Sequence, residues 1–206
     1  MGCREALAES LVHMLELLAR RRQSMAAIVL LLIGIALAYG LLQSSDRTVP
    51  QASFTHWQSL TSFTENGVTA DIALERDQAG QIWLAGAFTP TQARFHLYSK
   101  DLPGNGLNGL GRPTLLEIVS ADGPTTVGPL MANQPTSEYY IEPLGQTFPV
   151  YPDGAVTLRR PIELPDSKGT VPTELSITYM ACSAGVCLPP VIDKRVTVTI
   201  STTATR

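Results

Sequence analysis

From residue 69 to residue 200 the chain alternates apolar and polar positions in short runs, and most runs close on a cluster of turn-forming residues. Thr69 to Glu75 carries Ala70, Ile72 and Leu74 on one face, the period of two that a half-buried strand requires. The same pattern predicts strands at Gln81 to Phe88, Arg94 to Tyr98, Thr114 to Val119, Val156 to Leu164, Glu174 to Ala181 and Val191 to Ile200. Breakers separate most of them: Gln78-Ala79-Gly80, Pro103 to Pro113, Asp122-Gly123-Pro124, Pro152-Asp153-Gly154 and Ser167-Lys168-Gly169. No strong helical periodicity interrupts the series. About seven short strands at this spacing predict an all-β domain, an immunoglobulin-like β-sandwich, over residues 54–206.

Two stretches resist assignment as strands. Leu102 to Arg112 holds four glycines and reads as an irregular surface loop. Met131 to Val150 mixes Tyr139, Tyr140, Ile141, Leu144 and Phe148 with prolines and polar residues. Leaving that much apolar area in water forfeits about 25 cal/mol per Å², so the segment is expected to cover something. It is either a flap on one end of the core or a lid over a reactive site.

The N-terminal quarter follows a different pattern. Residues 1–24 include Leu7, Leu11, Met14, Leu15 and Leu18 at helical spacing, with Glu5, Glu9 and Glu16 around the rest of the cylinder, an amphipathic segment expected in the cytoplasm. Residues 25–42, Met25 to Leu42, contain no charge. Eighteen such residues lie at the short end of what crosses a hydrocarbon layer of about 30 Å. Arg20, Arg21 and Arg22 precede the segment, and Asp46 and Arg47 are the first charges after it, which places the following domain outside the cytoplasm. A single transmembrane helix is the expectation. Ala36-Leu37-Ala38 also supplies a small-x-small cleavage pattern, so a signal peptide releasing a secreted domain is the alternative, with Met14 as a second start. Neither a twin-arginine motif nor a myristoylation signal is complete. Residues 43–53 read as a polar spacer.

Composition narrows the function. Eighteen acidic against fifteen basic residues give a net charge of −3, which leaves no basic field for nucleic-acid phosphates. Of the three cysteines, Cys3 stands far from Cys182 and Cys187. The close pair flanks Ser183-Ala184-Gly185-Val186 between two strand patterns, the arrangement of a hairpin-like turn, and an exported domain permits a disulfide there.

Several chemistries compete for this pair. A ring of about six residues restricts the unfolded chain by only roughly 2 kcal/mol, against nearly 5 for a ring of a hundred, so it makes a weak staple. An exposed short-ring disulfide is the kind that exchanges with other thiols. A thioredoxin-type site has two intervening residues and a helix at its first cysteine; here there are four, followed by Pro189-Pro190. A zinc centre needs about four ligands, and only His56 and His96 are on offer besides the pair. Copper(I) on the two sulfurs and Met180 belongs to the same minority class. Leu188 after Cys187 excludes a c-type haem attachment. No metal or other cofactor is expected. Redox exchange and a passive local staple both remain open on chemistry alone.

Tyr179-Met-Ala-Cys182-Ser-Ala-Gly-Val-Cys187-Leu-Pro189-Pro190 resembles the cysteine motif of the N-terminal periplasmic domain of the thiol:disulfide interchange protein DsbD. Phe95-His-Leu-Tyr98, Gly111-Arg-Pro-Thr114 and Val150-Tyr151 with Val156 to Leu164 are similar to other strands of that family, so the resemblance covers roughly Phe54 to Ile200. It implies an immunoglobulin-like domain that takes electrons at a dithiol and passes them to exported thioredoxin-fold oxidoreductases or cytochrome c maturation proteins. By position, Cys187 would form mixed disulfides and Cys182 would resolve them. The loop holding Tyr139, Tyr140 and Phe148 would be the family's cap over the pair. His96 and Tyr98 would lie beneath or beside the sulfurs, with Tyr179, Pro189 and Pro190 in support. A strand that merely alternates its faces between solvent and core accounts for His96 and Tyr98 equally well. Asp193 and Glu138 are expected at the surface.

The departures from the family are specific. DsbD continues into a multi-spanning segment and a thioredoxin-like domain, so a separate membrane protein is expected as electron donor here. The connection between the cysteines is one residue shorter than in the enterobacterial form, and His96 stands where that form has tyrosine. The competing expectation is a non-enzymatic binding or scaffold module with a permanent Cys182–Cys187 bond.

Overall fold

The structure, a computed structural model, describes residues 53–142, 145–166 and 169–202. Segments 1–24 and 25–42, and all of the 43–53 spacer except Ser53, lie outside the described residues. Among the described residues there are thirteen strands and no α-helix, hence no helix long and apolar enough to cross a membrane.

The chain enters through β1 (Thr55–Glu65), which pairs antiparallel with β2 (Val68–Arg76). Alternation does not reveal β1, because its apolar residues Trp57, Leu60 and Phe63 are spaced by three. Trp57 and Leu60 are the extra residues of two register shifts, between His56 and Gln58 and between Ser59 and Thr61. Each bulge resets the pleat by one position, so all three side chains pack against the same core. The turn into β2 is Asn66-Gly67, both with positive φ (46° and 74°), the two-residue geometry that keeps the native strand twist.

β3 (Ile82–Pro90) continues the meander. Asp77 shapes the turn before it, its Oδ1 accepting from the backbone N–H groups of Ala79 and Gln81 at 2.9 Å each. β10 (Val156–Glu163) lies on the other side of β3. Two short strands, β6 (Thr125–Thr126) and β7 (Met131–Ala132), pair with β10 and complete a six-stranded sheet ordered β1-β2-β3-β10-β6. A second sheet, ordered β13-β11-β5, is formed by β5 (Leu115–Ile118), β11 (Thr170–Tyr179) and β13 (Val191–Ser201). Both sheets are antiparallel.

The inward residues of both sheets merge into one apolar cluster. Ile72, Leu74, Leu84, Phe88, Leu158 and Ile162 come from the first sheet, and Leu116, Leu175, Ile177, Tyr179 and Ile200 from the second. Burying each such side chain contributes about 1.5–3 kcal/mol. Gln58 ties the two edges together, donating from Nε2 to the Thr199 carbonyl at 2.9 Å and accepting from the Ser201 N–H at 3.1 Å.

Met131 to Val150 is a correction to the sequence expectation. It forms strands: besides β7, β8 (Ser137–Ile141) and β9 (Gln146–Val150) make an antiparallel hairpin. Its Pro135, Pro143 and Pro149 obscure the pattern, yet Pro149 sits in β9 opposite Glu138, and its carbonyl accepts from the Ser99 N–H at 2.9 Å. That bond uses the proline carbonyl and needs no N–H. The remaining strands are β4 (His96–Leu97) and β12 (Ala181–Cys182), of two residues each, which pair with each other.

Candidate functional site: a disulfide between short strands

The cysteines sit at the base of a tight turn. Ser183 donates its N–H to the Val186 carbonyl at 2.8 Å, and Leu188 donates to Ala181 at 2.9 Å. Cys182 and Cys187 therefore face each other as a bridge pair, their Cα atoms 4.1 Å apart and their sulfurs bonded at 2.01 Å. Leu188 anchors the outgoing chain against Gly67, where any Cβ would fall 2.3 Å from the leucine Cδ1. The Asn66 amide meets the Pro190 carbonyl at 3.4 Å, so the first hairpin turn holds the exit of the cysteine turn.

The two sulfurs occupy opposite environments. Cys182 is 0% exposed, whereas Cys187 is exposed with its neighbours Ala184, Gly185 and Val186. Cys182 belongs to a second, smaller apolar cluster with Tyr98, Leu102, Phe148 and Val150, against which Leu107, Tyr139, Ile141 and Met180 pack. Its pairing with His96 across β12 and β4 puts Cys182, His96 and Tyr98 on one face, because directly opposed residues share a face and i, i+2 residues repeat it.

Tyr98 is the polar contact to the sulfurs. Its hydroxyl donates to Cys182 Sγ at 3.2 Å and lies 3.9 Å from Cys187 Sγ. Burial, with the neighbouring Tyr139 adding to it, pushes the Tyr98 hydroxyl above its ordinary pKa, so it stays protonated and able to donate. The residue is held from three directions. Its backbone bridges to Val150, its carbonyl accepts from Thr114 Oγ1 at 2.8 Å, and its ring meets Phe148 edge-on at 5.5 Å. Gly111 packs on the remaining ring edge, where a Cβ would sit 3.2 Å from Tyr98 Cε1 while φ is +74°. Both requirements select glycine.

The β8–β9 hairpin covers the buried sulfur. Tyr139 and Phe148 are register partners and both face the small cluster. Tyr140 points the other way and is 60% exposed, so of the three expected cap residues two are brought to the cluster. The hairpin's cover extends to Cys182 and leaves Cys187 open.

His96 is 3% exposed, and its ring packs on Tyr139 at 4.8 Å, the two tilted by 52°. Leu97 and Tyr98 are buried as well, so β4 does not alternate between solvent and core. Tyr179 lies in the main core, where its ring contacts Phe88 and its hydroxyl donates to the Glu65 carbonyl at 3.1 Å. Pro189 is exposed. Asp193 lies on β13, bonded to Ser176 and to Arg195, and Glu138 is exposed. Leu102, Leu107 and Val150 complete the site without having been singled out. The first two come from the expected surface loop, whose glycines mask the fact that Leu102 and Leu107 turn inward while Leu110 stays exposed. Among the described residues no three His, Cys, Asp or Glu side chains are grouped to hold a metal ion.

The chain matches no protein-family model, no curated protein and no solved structure.

Proposed function

We propose that this is an extracytoplasmic thiol:disulfide interchange domain, in which Cys182 and Cys187 cycle between disulfide and dithiol. The single observation that carries the reading is the contrast between the cysteines, one an exposed residue and the other buried beneath a hydroxyl donor. Exchange needs an accessible sulfur to be attacked and a leaving sulfur whose negative charge is accommodated.

The step balances as follows. A thiolate of a reduced partner attacks Cys187 Sγ along the S–S axis. The bond from Cys187 to Cys182 breaks as the bond from the partner to Cys187 forms, and the electron pair leaves on Cys182. A thiolate in that apolar surrounding is disfavoured, and the Tyr98 O–H is positioned to stabilise it until it takes a proton. The partner's second thiolate then attacks its own bridging sulfur, releasing Cys187 as a thiolate. The partner ends as a disulfide and this domain as a dithiol, two electrons richer. Reversal of the same steps hands the electrons to an oxidised acceptor.

The cysteine motif's resemblance to the DsbD N-terminal domain supports an immunoglobulin-like sandwich as the finer description of the two sheets. It also supports exported thioredoxin-fold oxidoreductases or cytochrome c maturation proteins as acceptors, and a separate membrane electron donor. The arginine run and apolar segment before residue 43 support attachment to the inner membrane by one N-terminal helix, with this domain periplasmic.

The decisive measurement is a redox titration of the domain against glutathione and dithiothreitol buffers. Exchange requires a potential within reach of exported oxidoreductases, and a value below about −300 mV assigns the bond to a permanent staple and the domain to binding or scaffolding. A trapping experiment tests the roles. Cys182→Ala leaves Cys187 free to accumulate mixed disulfides with thioredoxin-fold proteins, and equal yields from Cys187→Ala would contradict the assignment.

A further inference from the structure

His96 has properties that its place in β4 does not explain. Its Nε2 is buried and has no hydrogen-bond partner among the described residues. Its Nδ1 is 3.8 Å from Asp153 Oδ1, on a side chain that is 58% exposed. Orphaned buried polar atoms are rare, and each carries the desolvation penalty of a hydrogen bond left unmade. A phenylalanine would fill the same space without that cost.

The ring lies beside the buried cysteine and against the cap. Its backbone pairs with Cys182, Tyr139 packs on it at 4.8 Å with the two rings tilted by 52°, and Tyr98 meets it edge-on at 6.0 Å. The titratable groups facing it are Asp153 from the turn before β10, Tyr139 from β8 and Tyr98 just after β4. Cys182, from β12, is held in the disulfide. Of these, only Asp153 is positioned as a counter-charge, and it reaches one nitrogen.

We propose that His96 is the positioning residue of the cap: as a neutral ring it seats Tyr139 over the buried sulfur, and on gaining a proton it releases the β8–β9 hairpin. The cause is local. A second N–H at Nε2 would be a charged donor enclosed without an acceptor, which a site tolerates only by moving the ring towards water. Tyr139 occupies part of the surface that the ring must leave through, so the hairpin yields.

Burial holds the seated ring below the ordinary histidine value of 6.5, with Asp153 opposing in part. An unseated, hydrated ring titrates near the ordinary value. Between the two values the equilibrium for cap release rises by up to tenfold for each unit that the pH falls, and it levels off below the seated value. The closed cap is therefore the form present above the ordinary value, and it is lost on acidification. The consequence for exchange rests on the redox reading: an open cap hydrates the leaving Cys182 thiolate and eases attack at Cys187.

The test follows hairpin amide and Tyr139 ring signals by NMR from pH 7.5 to 4.5 in the oxidised domain, alongside the rate of reduction by dithiothreitol per thiolate present. The wild type is expected to show one shared transition below 6.5 in residues 137–150, with the per-thiolate rate rising several-fold through it. His96→Phe, which keeps the ring contact, should flatten both profiles, and Asp153→Asn should move the transition to lower pH. Hairpin signals that stay unchanged in the wild type, or a transition that survives in His96→Phe, would overturn the proposal. A hairpin transition without any reduction at accessible potentials would leave the His96 assignment standing and remove the redox reading instead.

Discussion

The two apolar clusters are built by different means. The large one draws mainly on the long strands of both main sheets, and its members Val68, Ala70, Ile72 and Leu74 follow one another at the strand period. The small one is assembled from Tyr98 just after β4, Cys182 of β12, the β8–β9 hairpin and a glycine-rich loop. The large cluster includes two tyrosine hydroxyls, both on backbone groups: Tyr179 donates to the Glu65 carbonyl and Tyr151 accepts from the Lys100 N–H. The small one encloses a hydroxyl on a sulfur, beside an imidazole nitrogen that is unpartnered among the described residues. Close packing against long regular strands maximises apolar contact. Short irregular ones give up some of it and can bring groups from five different segments onto one disulfide.

Substitutions can test this division of labour. The largest effect is expected from Phe88→Ala, fully buried in the large cluster. It should lower unfolding free energy by about 3–5 kcal/mol in urea while leaving the disulfide's reduction potential unchanged. A shift of potential comparable to that in the small-cluster variants would erase the distinction.

Phe148→Ala, equally buried but in the small cluster, should cost less, about 2–3 kcal/mol, because a surface hairpin can partly collapse into the space. Unlike Phe88→Ala, it should speed reduction of the disulfide by a small thiol several-fold.

Tyr98→Phe removes only the hydroxyl at Cys182 Sγ. Loss of a hydrogen bond of about 1.4 kcal/mol to the reduced state corresponds to a potential about 30 mV more negative, measurable against glutathione. An unchanged potential would mean that the hydroxyl serves packing alone.

The subtlest effect concerns Tyr179, whose pKa burial pushes up to about 12, with Glu65 adding to the shift. Its neutral form is favoured by the fold, so the stabilisation is complete below the ordinary tyrosine value near 10 and is lost as pH rises from there towards about 12. Thermal melts of the wild type should fall across that interval more steeply than those of Tyr179→Phe. Melts of Tyr98→Phe and Tyr179→Phe together would show whether the small cluster's tyrosine contributes to the same alkaline loss.

Much of this architecture was legible as a pattern. Alternation marks β2, β3, β10, β11 and β13 because each buries one face against the core, and the solvent-facing positions carry no such constraint. The spacing of Cys182 and Cys187 around Ala184-Gly185 is enough to expect a turn that brings the sulfurs together, since the connection is too short for anything else. β1 was hidden because its two bulges turn a period of two into a period of three. The β8–β9 hairpin was hidden because its prolines interrupt the alternation, although Pro149 takes its place in β9 through its carbonyl, which needs no N–H.

What residue order alone does not settle is which groups meet at the sulfurs. Tyr98 and Cys182 are 84 positions apart, and nothing local distinguishes Leu102 from a surface leucine or Tyr139 from Tyr140. Their placement depends on the pairing of β4 with β12 and of Tyr98 with Val150. That pairing also decides that Cys182 is enclosed while Cys187 is open. Local sequence determines where the backbone can extend and where it must turn, because those preferences act between near neighbours. The environment of a sulfur, a hydroxyl or an imidazole is set by distant segments converging on it, and only the folded chain brings them there.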